Sequence, residues 1–251
     1  MLLAIDIGNT NISFGVFSQK FKINNHKIIK KFDLPVKTYS LVKLTKKLKT
    51  CPKINKIIIC SVVPKLTKIV QHNLKTLIGI KAQIIGKDLI VPIKNLYHQP
   101  KQLGQDRLVN AYAASKLYPT PLVVIDSGTS ITLDVVSKNS TFLGGSILAG
   151  FQMSLDALKE KTALLPKVKL TQPTKLIGDD TKSSILSGIV LGTAASVCGL
   201  VKQIKQRTNK HTSVIGTGGS IFLIKKYSGL KIKINQDLTL KGINFIHKNE
   251  I

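Results

Sequence analysis

Asp6, Gly8, Asn9 and Thr10 close an apolar run at the start of the chain, and residues of these types in this order suit the binding of phosphate. A strand that ends in Asp-x-Gly-Asn-Thr turns tightly. Its glycine lets backbone N–H groups approach a ligand, and Asn9 and Thr10 add side-chain donors. Asp6 would orient a phosphate-bound magnesium through water, since Mg²⁺ takes few carboxylates and keeps most of its waters. Taken singly, such a turn reads more simply as an ordinary hairpin, where Asp, Gly and Asn are common.

Repetition shifts that balance. Val123-Val124-Ile125-Asp126-Ser127-Gly128 matches Leu3-Ala4-Ile5-Asp6-Ile7-Gly8 about half a chain later, and Thr129 completes a second turn of the same kind. Two such loops facing each other form a clamp for nucleotide phosphates. Gly216-Thr217-Gly218-Gly219 adds a glycine-rich turn where a strand meets a helix N-terminus, a place suited to anions, although this motif alone is weak.

Gly104-Gln105-Asp106-Arg107 opens a helical run, with Asn110 one turn beyond Asp106 on the same face. Asp106 can be read as a helix N-cap. Against that, Arg107 and Arg207 are the only arginines among 38 basic residues, which points to a task needing the planar guanidinium fork. A carboxylate beside an arginine suits substrate positioning. In phosphoryl transfer, an acidic residue accepts the hydroxyl proton while cations stabilise the group in flight.

The elements that must position these residues follow from periodicity. Strands are expected at 3–7, 12–17, 28–34, 57–63 and 82–85, with helices at 39–48 and from Pro64 onward, a mixed α/β order. A helix over 105–117 carries the chain into a second half, giving domains 1–118 and 119–251. There, strands are expected at 122–127, 131–136, 142–147, 213–215 and 231–234. Helices are expected at 154–165 and 181–206, after the glycine-rich turn, and from about 239. The stretch 185–201 is the nearest thing to a membrane span, but its glycines, serines and threonine favour a buried, closely packed helix.

Composition bounds the class. An apolar share of 43% is that of a folded protein. The net charge of +26 would by itself suggest a nucleic-acid partner. The excess is carried by scattered lysines, with aromatics at only 5%, whereas a nucleic-acid surface favours arginine and exposed aromatics. Cys51, Cys60 and Cys198 form no C-x-x-C pair, so a reducing compartment is expected. His26, His72, His98, His211 and His247 lack the spacing of a helical zinc site. The first five residues lack a basic segment before the apolar run, which argues against a signal peptide and for the cytoplasm.

In combination these residues resemble the type III pantothenate kinases, members of the sugar kinase, heat-shock ATPase and actin superfamily. The resemblance also draws on Ser61-Val62-Val63-Pro64, Gly144-Gly145, Ser154-Leu155-Asp156-Ala157-Leu158, Ile177-Gly178 with Thr181, Ser187-Gly188 and Asp237-Leu238-Thr239-Leu240-Lys241-Gly242. It implies an α/β fold of two duplicated ribonuclease H-like, actin-like ATPase domains with mixed β-sheets flanked by helices. It also implies ATP-dependent phosphorylation of the primary hydroxyl of pantothenate to 4'-phosphopantothenate, the first step of coenzyme A synthesis.

On this resemblance Asp106 is the proton acceptor, and Tyr97, Gly104, Gln105, Asp106 and Arg107 line the pantothenate pocket. Asp6, Ile7, Gly8, Asn9, Thr10, Asn11, Ile12, Ser13 and Thr129 bind ATP with Mg²⁺, and Asp126 ligates a monovalent cation, K⁺ or NH4⁺. The resemblance also implies a homodimer in which Thr181 reaches the substrate across the interface, with no nucleic-acid or membrane partner. Gln105 stands where the family has a small residue, Ser127, Ser130 and Ile131 depart from its commonest second loop, and Gly216 replaces the usual Ala. Two other readings share the fold: a non-catalytic ATP-dependent regulator or nucleic-acid accessory protein, and a different small-molecule kinase.

Overall fold

The computed structural model describes residues 1–18 and 27–249, so His26 lies outside the described residues. In chain order the strands are β1 (Leu2–Ile7), β2 (Asn11–Phe17), β3 (Ile28–Pro35), β4 (Lys56–Ser61), β5 (Gln83–Ile84), β6 (Lys94–Asn95), β7 (Leu122–Ser127), β8 (Ser130–Val136), β9 (Thr141–Ala149), β10 (Ser213–Thr217) and β11 (Lys233–Ile234). The α-helices are α1 (Leu41–Leu48), α2 (Pro64–Ile78), α3 (Gln105–Leu117), α4 (Phe151–Lys161), α5 (Thr181–Leu186), α6 (Gly192–Arg207), α7 (Ile221–Tyr227) and α8 (Leu238–Lys248).

The chain forms two compact units. One comprises Met1–Lys94, His98–Lys116 and Asp237–Ile251, the other Asn95–Tyr97 and Leu117–Gln236. The first unit's sheet has the order β3-β2-β1-β4-β5. Its first three strands are antiparallel, and β4 and β5 run parallel to β1. Alternation along the strands sends Leu3, Ile5, Ile7, Ile12, Phe14, Val16, Ile57 and Ile59 into one core with Leu44 of α1 and Leu66, Val70 and Leu74 of α2. Phe14 stacks on Phe32 there, with ring centroids 4.6 Å apart.

The opposite face of that sheet carries Asp6, Ser13 and Cys60, which alternate with the core residues. Helix α8 lies against β1, β2 and β4, and Leu240 comes to 3.2 Å from where a Cβ on Gly15 would stand. The last helix, placed by periodicity at the end of the second half, therefore completes the first unit. It is tied to α3 by a buried hydrogen bond of 2.8 Å from the Thr239 hydroxyl to Asn110 Oδ1.

The second unit's sheet has the order β11-β10-β7-β8-β9-β6. Again three antiparallel strands, β7 to β9, come first, and two parallel ones, β10 and β11, follow. Val123, Ile125, Ile131 and Leu133 pack with Phe151, Val190, Val197, Val201 and Ile221. One strand plan recurs in both units, in keeping with the duplicated ribonuclease H-like arrangement that the family resemblance implies.

Several boundaries move for local reasons. β4 stops at Ser61 because Pro64 sets the first turn of α2 and holds Val63 at φ −125° and ψ 83°. Helix α4 starts at Phe151 rather than 154 and ends at Lys161, where Thr162 turns extended. The apolar stretch after 181 is α5, a π-turn over Ser187–Leu191 and α6 in succession. By length and composition, Thr181–Arg207 is long and apolar enough to cross a membrane, and 33% of its apolar window is buried. The expected full burial of this helix is therefore corrected: much of its surface is uncovered in the single chain.

Candidate active site

In the first unit, Asp6 pairs in register with Ser13 on β2 and Cys60 on β4, so the three side chains line up across one face of the sheet. Asp6 and Ser13 are half-buried, whereas Asn9, Thr10 and Asn11 are exposed in the turn that follows β1. That turn is closed by a hydrogen bond of 3.0 Å from the Gly8 N–H to the Asn11 carbonyl. A Cβ on Gly8 would meet only the Asn11 carbonyl, at an ordinary 3.4 Å. The turn's own backbone does not demand glycine.

Asp106 lies one residue inside α3, not at its N-cap. Its Oδ1 accepts the Arg107 N–H at 2.9 Å, and the carboxylate folds back so far that a Cβ on Gly104 would stand 2.5 Å from it. Burial pushes the Asp106 carboxyl above its ordinary range, partly offset by that N–H and by the charge of Arg107, which is itself buried. The fully buried thiol of Cys60 is pushed well up, first by burial and then by the negative charges of Asp6 and Asp106. Both carboxylates thus act on one thiol. Asp106 itself lies against Gly104 and is followed by Arg107, while the Gln105 side chain lies against Gly86.

In the second unit, Asp126 pairs in register with Thr132 on β8 and Thr217 on β10, the position that Asp6 holds between Ser13 and Cys60. Thr129 and Gly128 are exposed in the following turn, where the Gly128 N–H donates to the Ser130 carbonyl at 3.0 Å. Gly218, with φ of +88°, presses its backbone against Asp126: a Cβ there would stand 2.5 Å from Asp126 Oδ1 and 2.6 Å from the Ser127 backbone. Asp126 thus lies against bare glycine backbone, between Thr217 and Thr132, whose hydroxyl donates to Asp134 Oδ2 at 3.1 Å.

Tyr97 and Thr181 also lie in the second unit. The Tyr97 ring leans on Phe142 at 6.4 Å between centroids, and its N–H donates to Asn95 Oδ1 at 2.8 Å. Thr181 opens α5 after a capping box between Asp180 and Ser183. It is exposed on the wall of a cleft of about 650 Å³ that Leu158, Gly178, Ser184 and Ile189 also line. Ile7 and Ile12, which pair in register on either side of the turn, face the first unit's core.

For Cys60, Gly86 and Gly218 the structure adds neighbours that the sequence reading did not carry. Cys60 read as a buried thiol and gave no sign of its charged neighbours, which come from β1 and α3. Gly86 and Gly218 were invisible as contacts because each meets a side chain distant in sequence, Gln105 and Asp126 respectively. Gly216, in place of the family's usual alanine, is accounted for by packing: a Cβ there would meet Ile221 at 2.6 Å and Ile232 at 2.7 Å. Among the described residues no cluster of three His, Cys, Asp or Glu side chains is placed to hold a metal.

Solved structures with the same overall arrangement include a protein described as a Baf family transcriptional activator from Campylobacter jejuni, at TM-score 0.62 and 20% identity, covering 99% of this chain and 98% of that one. A protein described as a 2-dehydro-3-deoxygalactonokinase from Sinorhizobium meliloti aligns at TM-score 0.58 and 12% identity, with 99% and 96% covered. The ADPNP-bound activator of 2-hydroxyisocaproyl-CoA dehydratase from Clostridium difficile aligns at 0.54 and 13%, with 99% and 96% covered. These likenesses place the fold among the actin-like ATPases and sugar kinases.

The sequence goes further. A family model described as type III pantothenate kinase matches residues 2–203. The type III pantothenate kinase of Finegoldia magna is 36% identical over 266 residues, covering 100% of this chain and 99% of its own. That of Persephonella marina is 38% identical over 258 residues, with 98% of each covered. With the paired Asp-x-Gly turns and the Gly-Gln-Asp-Arg helix entry in place, this chain belongs to the type III pantothenate kinase family.

Proposed function

We propose that this enzyme transfers the γ-phosphoryl group of ATP to the primary hydroxyl of pantothenate, giving 4'-phosphopantothenate and ADP, the entry step of coenzyme A synthesis. The observation that carries the reading is Asp106, a largely buried carboxylate at the entry of α3, folded back over Gly104 and followed by buried Arg107, with its pKa raised by burial. A base of raised pKa is suited to take up the hydroxyl proton. As the hydroxyl oxygen bonds to the γ-phosphorus and the bond to the ADP oxygen breaks, the proton passes to Asp106. Gly104, Gln105, Arg107 and Tyr97 shape the pantothenate pocket, and Arg107 adds positive charge near the group being transferred.

Asp6, the turn through Thr10 and Asn11 to Ser13, and Thr129 are assigned to ATP. The exposed donors of Asn9 and Thr10 and the undemanded glycines at 8 and 128 support that assignment. Asp6 would hold Mg²⁺ through water, and the ion would supply charge neutralisation at the ATP phosphates. Asp126 in its Gly218 cradle is assigned to a monovalent cation, K⁺ or NH4⁺.

We infer also that two copies pair, with Thr181 serving the partner's substrate. Support comes from the uncovered face of the helix after 181, where nothing lies within 4 Å of a Cβ placed on Gly188, Gly192 or Gly199. Leu164, Leu176 and Ile177 are exposed in the same unit, at 93%, 75% and 85%. We place the enzyme in the cytoplasm, a reading supported by three free thiols, and assign the charge to solvated lysines rather than to nucleic acid or membrane. The decisive assay is ADP release with and without pantothenate, in potassium and in sodium buffer. Pantothenate-stimulated release that depends on potassium is expected, and no stimulation in folded protein would refute the kinase reading.

A further inference from the structure

Gln105 is held by shape. Gly86 follows β5 with φ of +85°, inside a turn closed by its own N–H donating to the Leu89 carbonyl at 2.7 Å and by the Ile84 N–H donating to Asp88 Oδ2 at 2.8 Å. A Cβ on Gly86 would stand 2.7 Å from Cδ, 2.8 Å from Cγ and 3.1 Å from Oε1 of Gln105, so that side chain lies along bare glycine backbone. The residue is half-buried, and among the described residues its carboxamide makes no hydrogen bond to the protein. With Oε1 turned toward the Gly86 turn, Nε2 is the outer end of the amide. Asp106 is the next residue, pinned over Gly104 in the same manner. Helix α3 therefore opens with an uncommitted amide donor and an ionisable oxygen on successive residues, each lying against a different glycine.

We propose that Gln105 is a specificity-determining residue for the acceptor: seated on Gly86, it donates an N–H to the amide carbonyl of an alcohol whose hydroxyl lies at Asp106. This rests on the pantothenate kinase reading, since pantothenate carries an amide a few bonds from its primary hydroxyl. A side chain already ordered by contact loses little rotamer freedom when the substrate arrives, so the hydrogen bond is expressed in affinity. Because the bond is made to a part of the substrate remote from the transferring phosphorus, its loss should fall on KM more than on kcat.

The test is steady-state kinetics of Gln105→Ala, Gln105→Glu, Gly86→Ala and the Gly86→Ala/Gln105→Ala double variant, with pantothenate and with a neutral analogue whose terminal carboxylate is amidated. Gln105→Ala should raise KM about tenfold with kcat within about twofold. Gln105→Glu, which keeps the shape and removes the donor, should lose at least as much, with the neutral analogue as well, where repulsion between carboxylates is absent. Gly86→Ala must dislodge Gln105 and should raise KM alone but add nothing in the double variant. An unchanged KM in Gln105→Ala, or wild-type affinity for the neutral analogue in Gln105→Glu, overturns the assignment. Wild-type protein lacking pantothenate-dependent turnover would instead overturn the kinase reading. The two Gln105 variants keep the test independent of whether Gly86→Ala folds.

Discussion

Gly218 stands against Asp126 so closely that a single methyl group would enter the space of the carboxylate, 2.5 Å from Oδ1. At φ of +88° an alanine is also strained by its own backbone. Gly218→Ala is therefore expected to cost about 1–3 kcal/mol of stability and to push Asp126 out of its cradle. If Asp126 holds a monovalent cation, the variant should need several times more potassium for half-maximal activation. Potassium titrations at a temperature where the variant is folded check this. An unaltered potassium requirement would separate Asp126 from the cation.

Asp106 carries opposite demands of stability and catalysis. Burial raises its folded pKa above the unfolded value, so the ionised carboxylate costs stability at neutral pH, and the folded state gains as pH falls through the folded pKa. Asp106→Asn removes the charge with little change of shape. Turnover should fall by about 10²–10⁴-fold, while the melting temperature at neutral pH should be equal or higher and its advantage should shrink on acidification. In the wild type, kcat/KM should decline as pH falls through a value above the usual carboxylate range. A variant that melts well below wild type would show that Asp106 is there to hold α3.

Much of this arrangement was legible in the residues. Asp6 and Asp126 were paired from their apolar approach and trailing glycine alone, and they occupy matching register positions in two separate sheets. The strand at 3–7 was expected as well, and within it Ile5 and Ile7 face the core, away from Asp6. What sequence did not carry is long-range geometry. Nothing in 239–248 distinguishes a helix that closes the second unit from one that returns to the first, because its apolar face would suit either sheet. Nor does an apolar helical stretch reveal how much of itself is covered: the residues after 181 looked like interior, and a third of the window is buried. The seats of Gln105 and Asp106 on Gly86 and Gly104 depend on backbone angles that no periodicity encodes.

Ser127 offers a test of stability alone. Its side chain points into the apolar core of the second unit with no exposure, and its hydroxyl has no hydrogen-bond partner. A buried hydroxyl left unmade costs free energy that an alanine of nearly the same shape avoids. Ser127→Ala should stabilise the protein by about 1 kcal/mol, a rise of roughly 2–4 °C in melting temperature for a chain of this size. A fall in melting temperature would mean that the hydroxyl is satisfied by an ordered water, which the alanine would strand.

Gly192 distinguishes a solitary chain from a pair. It lies on the exposed side of α6 with nothing within 4 Å of where a Cβ would go, so in a single chain a larger residue meets open space. Replacing a helical glycine also removes a penalty of about 1 kcal/mol, so Gly192→Leu should fold at least as well as wild type if that face is only solvated. If a second copy packs on the stripe formed with Gly188 and Gly199, the leucine obstructs close approach and the dimer must weaken. Sedimentation of the variant should then show monomer at concentrations where wild type is dimeric. Since Thr181 is assigned to the partner's substrate, turnover should fall with dissociation and recover as protein concentration rises. A monomeric variant with full activity at every concentration would remove Thr181 from that role, and a wild type that sediments as a monomer would remove the pairing itself.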